Sequence, residues 1–405
     1  MKLHYGHYYW PTTLDEIKAY PVLQEDITCE VLVIGGGMGG VTCTYLLSKQ
    51  GFDTVLIEEN TIASGSTLTN TGLLQFCNDK TLTSFIHTFG EEIAVHFYQL
   101  SLEAVAQLVE ISSTLSKNAR VEPKNSLYLA SSSEDVEMLK EEYYHLQKYK
   151  LPVTWWDKYK IEAHFPFSRN AAIYTDQDGE VNPVAFITEL AQTSAKAGAR
   201  IFEHSGLTGI ECHSDHVIAY VGKQRIRTNK VIFATGYTTQ TFKPDRGAEL
   251  TSTYVTVTEV IPELDQHWYE SCLIWETARP YFYLRTTSDG RIVAGGLDEP
   301  LPPNGLEEDR YLHQSNQLLT KMKEMFPNFS DTRTAYRWGA VFGGTRDGFP
   351  FIGPHERYPN CYFLEGYGGN GTVCNMIGAN LLTDIISGKE RWDAGMFDLM
   401  RGTKK

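Results

Sequence analysis

The chain has 405 residues, more than one hydrophobic core usually supports, so two domains are expected. A hydrophobic share of 42% and a charged share of 21% are those of a soluble globular protein. A formal net charge of −14 argues against nucleic acid or an anionic membrane as the main partner.

The seven cysteines (Cys29, Cys43, Cys77, Cys212, Cys272, Cys361 and Cys374) are scattered without a C-x-x-C pair, which argues against a disulfide framework or a zinc site. No run of about 18 apolar residues is present, so no transmembrane helix is expected. The first ten residues lack the apolar core of a secretory signal. A cytoplasmic location is the expectation.

In chain order, residues 30–34 form a short apolar, β-branched run of the kind found in buried parallel strands. A glycine-rich loop follows at 35–40, then a helical pattern over 41–50 closed by Gly51. A second apolar strand, 53–57, ends in Glu58 and Glu59, completing a βαβ unit. Residues 82–115 read as helix, with Ile93, Val95, Phe97, Leu100, Val105 and Leu108 on one face. A strand at 125–130 and a charged amphipathic helix at 134–149 look like an inserted module. Nucleotide-domain character returns at 179–183, with a helix over 183–196 and a strand over 198–203. A small meander at 217–226 precedes a separate buried strand at 230–236. Residues 250–275 alternate like long antiparallel strands, and 281–285 and 291–296 flank Ser288, Asp289 and Gly290 as a hairpin. A helix over 306–326, a strand at 362–365, a glycine-rich turn at 366–371 and a helix over 372–386 close the chain.

The expected architecture is therefore α/β: a Rossmann-type nucleotide domain assembled from residues 1–80, 172–248 and 340–405. A mixed, largely antiparallel α+β substrate domain is expected from 81–171 and 249–339.

The glycine loop carries the chemistry. Gly35 permits the tight strand-to-helix turn, Gly37 leaves room for a pyrophosphate beside Met38, and Gly40 lets the helix approach the strand. The helix N-terminus then faces the anion with unpaired N–H groups. Glu58 is placed to accept from ribose hydroxyls, while Glu59 faces the other way. Gly65, Ser66 and Thr67, then Thr71, Gly72, Leu73, Leu74 and Gln75, either follow an extended dinucleotide or form a surface loop. Ala234, Thr235 and Gly236 read as a close backbone approach to a cofactor or as a simple turn. Leu207 and Gly344 are further candidate contacts.

Taken together, residues 31–40 with Glu58, 65–75, 234–236, 281–296, 345–353 and 366–372 resemble the FAD-dependent D-amino-acid oxidase superfamily, in its glycine and sarcosine oxidase-like branch. The resemblance runs in consistent order from Glu30 to Gly388. It implies FAD as cofactor and hydride transfer from substrate to flavin N5. It also implies that Gly368, Gly369, Asn370, Gly371 and Thr372 hold negative charge on the flavin ring, where a plain helix cap is the competing reading. Covalent members use a cysteine before the 345–347 motif or an N-terminal-region histidine. This chain has no cysteine in 330–353 and no histidine in 61–80, so non-covalent FAD is expected.

The substrate end departs from the family. Where amino-acid-oxidising members carry an arginine upstream of Thr345, this chain has Val341, Phe342, Gly343 and Gly344, and Gly369 replaces a second one. A bidentate carboxylate clamp is absent there. Candidates for lining the substrate cavity are Tyr254, Arg279, Tyr281, Tyr283, Arg285, Phe342 and Tyr367, with no residue assigned as catalytic. Alternation puts Arg279, Tyr281, Tyr283 and Arg285 on one strand face, where an arginine either binds a carboxylate or joins cross-strand packing. Tyr254, Trp275, Trp338 and Phe342 form an aromatic wall or plain core, with core favoured for Trp338. No metal is implied. The leading function is oxidation of a C–N bond in an amine or N-substituted amino acid. The alternatives are C–O oxidation of a hydroxy acid or polyol phosphate, and a partner-dependent flavoprotein without catalysis. A homo-oligomer is a candidate assembly.

Overall fold

The computed structural model describes residues 3–243, 249–303 and 305–401. The ends of two expected segments, 244–248 and 402–405, lie outside the described residues, as do residues 1 and 2.

Two sheets organise the chain. The eight-stranded sheet runs Phe351–His355, Tyr358–Glu365, Gln224–Phe233, Ile27–Ile34, Thr54–Ile57, Arg200–Phe202, with Val217–Val221 added on Gln224–Phe233 and Gly209–Cys212 added on Val217–Val221. Its centre is parallel: Ile27–Ile34 pairs in parallel with both Thr54–Ile57 and Gln224–Phe233. Both faces are covered, because Val31 and Val33 enter one core while Leu32 and Ile34 enter another. That explains the unbroken apolar run. Helix Met38–Lys49 packs between Pro183–Lys196 and Gly371–Ile386 over the first of these cores.

The ten-stranded sheet is mostly antiparallel, with Thr334–Gly344, Glu249–Thr258, Ile292–Pro300 and Phe282–Thr286 side by side. Helix Glu308–Met325 covers one face through Leu318 and Met322. The seams of the expected partition do not coincide with sheet membership. His4–His7, Leu73–Leu74 and Ala171–Glu180, expected with the nucleotide segments, pair in the ten-stranded sheet.

Several expected elements differ in detail. The helical stretch 82–115 is two helices, Leu82–Phe89 and Glu91–Ser112, broken where Gly90 takes φ +86°. Phe97, Val105 and Leu108 are buried there, whereas Ile93, Val95 and Leu100 are half-buried. The end of the meander and the buried strand after it are one continuous strand, Gln224–Phe233. The alternation from 250 ends at Thr258, and a short helix, Leu264–His267, intervenes before Leu273–Glu276.

Arg285 joins three elements from within the hairpin. It is buried, its Nη2 lies 3.3 Å from Glu180, and its Nη1 donates to the carbonyls of Thr71, Gly72 and Val181. Burial pulls its guanidinium below the ordinary pKa, and Glu180 opposes that. Arg285→Met should therefore leave Glu180 and three carbonyls without this donor. The expected loss is about 3 kcal/mol or more of unfolding free energy in a denaturant titration. A loss under about 1 kcal/mol would show the network to be dispensable.

Candidate active site

The glycine turn is built as its sequence demands. Gly35 sits at φ +111°, a conformation that side chains disfavour. A Cβ on Gly40 would lie 1.8 Å from the Gly35 carbonyl oxygen, so the helix reaches the strand only because residue 40 has no side chain. The Met38 N–H donates to Thr67 Oγ1 at 2.9 Å, fastening the 65–67 turn over the helix N-terminus. Glu58 closes the other side. Its Oε2 accepts from the Gly36 N–H at 2.6 Å and its Oε1 from the Asn60 N–H at 2.8 Å. Burial raises the Glu58 pKa, and those two amides work against that rise.

These groups form one end of a cavity of about 720 Å³ that continues to the ten-stranded sheet. Of the expected cofactor contacts, Gly35, Gly37, Met38, Glu58, Glu59, Gly65, Ser66 and Thr67 line it. So do Thr71, Leu73, Gln75, Leu207, Ala234, Thr235 and Gly236. Gly368, Gly369, Asn370, Gly371 and Thr372 line it at the N-terminus of helix Gly371–Ile386. Four expected contacts do not: Gly40, Gly72, Leu74 and Gly344. Gly40 packs on Gly35, Leu74 is in the core, and Gly72 fits under the Val181 carbonyl at φ +77°. Gly344 ends its strand with open space around it.

At the far end, Tyr281, Tyr283, Phe342 and Tyr367 line the cavity, together with Trp275. Tyr283 fits because residue 295 is glycine, since a Cβ there would sit 2.3 Å from the ring. Four candidates fall elsewhere. Tyr254 is in the second core, bonded to Glu299, and Trp338 is fully buried with its indole N–H on the Thr69 carbonyl. Arg285 is held by the carbonyls described above. Arg279 lies before the strand, which begins at Phe282, so the expected single face does not extend to it. Its guanidinium stacks over Tyr281 at 3.4 Å and donates to the carbonyls of Thr277, Ala278 and Asp79.

What the sequence reading missed is acidic. Asp79 and Asp298 line the cavity beside Tyr237 and Thr253. Among the described residues, no Arg, Lys or His lines it. Asp79 accepts from the Gly369 N–H at 2.8 Å, and a Cβ on residue 369 would lie 2.4 Å from that carboxylate. Burial raises the pKa of Asp79, partly countered by the Gly369 amide and Arg279. Burial pushes Asp298 up to about 6, with the Thr253 hydroxyl opposing and the Asp79 charge adding. Asp298 reaches this place through a β-bulge. Ser252 pairs with Glu299 and Tyr254 with Gly296, leaving Leu297 and Asp298 opposite Thr253 alone. Gly296 at φ +118° and Leu297 at φ +57° make the bend. The signal available in the sequence was Gly295 and Gly296 inside a strand pattern, which marks a bulge or a close approach.

Comparison with known proteins follows the same lines. A family model of FAD-dependent oxidoreductases, the DAO family, matches residues 30–385. The chain belongs to this family. FAD is its cofactor, and it is an enzyme of the oxidoreductase class. It is similar to gamma-glutamylputrescine oxidoreductase of Escherichia coli, 22% identical over 95% of this chain and 90% of that protein. Glycine oxidase of Bacillus subtilis is 24% identical over 89% of this chain and 94% of that one. In fold, it resembles glycine oxidase of Geobacillus kaustophilus, with a TM-score of 0.79 at 19% identity over 92% of this chain and 99% of that one. The cavity suits FAD on its own evidence: a glycine turn no side chain could enter, a carboxylate beside it, and a second helix N-terminus on the same wall.

Gly40→Ala should consequently yield protein purified with little bound flavin, read as the ratio of flavin to protein absorbance. Gly395→Ala, where a Cβ meets nothing within 4 Å, is the control. Full flavin content in Gly40→Ala would show that the turn yields without cost.

Proposed function

We propose that this flavoenzyme oxidises the C–N bond of a primary or secondary amine. The observation that carries the reading is the charge of the substrate end, where Asp79 and Asp298 line the cavity and, among the described residues, no cationic side chain does. Bound FAD would supply the hydride acceptor, so that the carbon beside nitrogen would lose hydride and the nitrogen its proton, and the substrate imine would then be hydrolysed by water.

The chain's own residues bind, orient and exclude water. The first turn of helix Met38–Lys49 and the Thr67 hydroxyl would hold the pyrophosphate, and Glu58 would accept from ribose hydroxyls. Thr372 and the first-turn amides of helix Gly371–Ile386 line the same cavity and would stabilise negative charge on the ring. Tyr281, Tyr283, Trp275 and Phe342 supply a largely apolar wall that holds an alkyl chain and keeps water out. Tyr283 and Tyr281 stay neutral, since burial raises both hydroxyls above their usual pKa.

Non-covalent FAD is supported at the one cysteine of the lining among the described residues. Burial, with Asp178 and Glu142 adding, raises the Cys77 thiol well above its ordinary pKa, which disfavours a thiolate. The names of the two curated relatives refer to nitrogen compounds, in keeping with a C–N substrate. A hydroxy acid or polyol phosphate would instead place its anion against Asp79 and Asp298.

Anaerobic titration with a panel of amines and hydroxy acids tests this directly. Amines should bleach the oxidised flavin band and hydroxy acids should leave it unchanged. Bleaching by hydroxy acids alone would overturn the reading. Acid precipitation should release all of the flavin to the supernatant, whereas colour retained in the pellet would mean a covalent link.

A further inference from the structure

Resting on that amine reading, we propose that Asp298 anchors a second cationic group of the substrate. The enzyme would then take a diamine, or an amine carrying a remote ammonium group, in preference to a simple monoamine or a free amino acid.

The geometry singles out Asp298 among the acidic residues of the wall. Glu58 is bonded to two backbone amides at the nucleotide end, and Asp79 is bonded to the Gly369 amide with Arg279 beside it. Asp298 has the Thr253 hydroxyl as its neighbour, while its Oδ1 is buried with no hydrogen-bond partner among the described residues. An unpartnered carboxylate oxygen in such a place costs free energy unless a ligand donates to it.

A second, independent group points to the same ligand. Trp275 is 7% exposed, lines this cavity as an aromatic ring and stacks on Tyr128 at 3.7 Å. Tyr281 and Tyr283 add aromatic faces, and the hydroxyls of both lie within the field of Asp298. Aromatic rings beside a carboxylate make a suitable surround for an ammonium group. Neither Arg279 nor Arg285 lines the cavity and both are bonded to backbone carbonyls; the Arg279 charge reaches Asp298 and lowers its pKa somewhat, but burial outweighs it.

Chemistry decides which nitrogen is anchored. A C–H bond beside nitrogen gives up hydride only when that nitrogen is a free amine with its lone pair available. A carboxylate next to an amine favours the protonated form. Asp298 would therefore hinder oxidation of the nitrogen it holds, and its productive partner is a different, remote ammonium.

The test compares short α,ω-diaminoalkanes with monoalkylamines of the same chain length, using the flavin-loaded enzyme under anaerobic conditions. The diamine should reduce the flavin at about 10- to 100-fold lower concentration than the monoamine, the worth of one hydrogen bond to a charged group. In Asp298→Asn that preference should collapse towards parity, provided flavin absorbance shows the variant folded. Asp298→Glu, which keeps the charge, should retain it. Binding without turnover supplies a separate readout. Calorimetry with a diamine whose amine-bearing carbons carry no hydrogen should give tight binding at neutral pH that weakens as pH falls below about 6, where Asp298 takes up a proton. Asp79 and Arg279 act on the same carboxylate, the first raising its pKa and the second lowering it, so Asp79→Asn should move that pH midpoint downwards, whereas Asp298→Asn should abolish it. Equal response to diamine and monoamine, or an unchanged preference in Asp298→Asn, overturns the inference while leaving amine oxidation intact. If no amine reduces the flavin and the unreactive diamine does not bind, both readings fall.

Discussion

The contact on which the molecule depends is the approach of helix Met38–Lys49 to strand Ile27–Ile34, where residue 40 meets the Gly35 carbonyl with no room for a side chain. That distance sets the helix N-terminus at the cavity wall. The neighbouring residue repeats the device: a Cβ on Gly39 would lie 2.4 Å from Asn375 Oδ1, and one on Gly366 would lie 2.8 Å from the same atom. Asn375 in turn donates to the Gly371 carbonyl at 2.7 Å. Two helix N-termini are thereby brought onto one cavity through glycines that act by absence. Both ends present unpaired amides to an anionic cofactor.

The opposite wall is organised by the hairpin and its bulge. Gly295 makes the space that Tyr283 fills, and Gly296 with Leu297 turns the strand so that Asp298 reaches the cavity beside Thr253. The same hairpin contains Arg285, two residues from Tyr283 along the strand, yet its charge is spent on carbonyls and Glu180 beneath the cavity. A strand that reads as a carboxylate-binding arginine site therefore delivers aromatic and acidic surface. The substitution of Gly369 for a longer residue fits this arrangement, because the Asp79 carboxylate occupies the adjoining volume.

Much of this was legible in the sequence. The βαβ unit, the helix opening at Gly371 and the hairpin gave themselves away through local chemistry: β-branched runs, glycines at fixed offsets, and Asp289 with Gly290 at a turn. The nucleotide end of the cavity followed, because its residues are mostly consecutive. The substrate end did not, because it is assembled from residues distant in the chain. Asp79 and Asp298 are separated by most of the sequence, and neither carries a local signature. Tyr254 and Arg285 misled for a related reason. Strand alternation assigns a face but not what covers it, and Glu299 and Glu180 had already claimed those side chains. The join of 224–226 to the buried strand expected from Lys230 was hidden by the polar residues Arg227, Thr228 and Asn229 between them, although one strand runs through.

The retention of Asp298 has an energetic consequence. Its pKa of about 6, against an ordinary 3.8, means that ionising it inside the protein costs about 3 kcal/mol more than in water. The native state binds this proton more tightly than the unfolded chain does. Stability therefore falls as pH rises from the ordinary carboxylate range through about 6, and the deficit persists at neutral pH. A carboxylate that weakens the fold at neutral pH, set in place by two consecutive left-handed backbone positions, is difficult to explain as packing. It is readily explained as a charge held for a ligand. A cation entering the cavity restores what Asp298 lost on leaving water, so the strain in the hairpin and the cost of burial converge on substrate recognition.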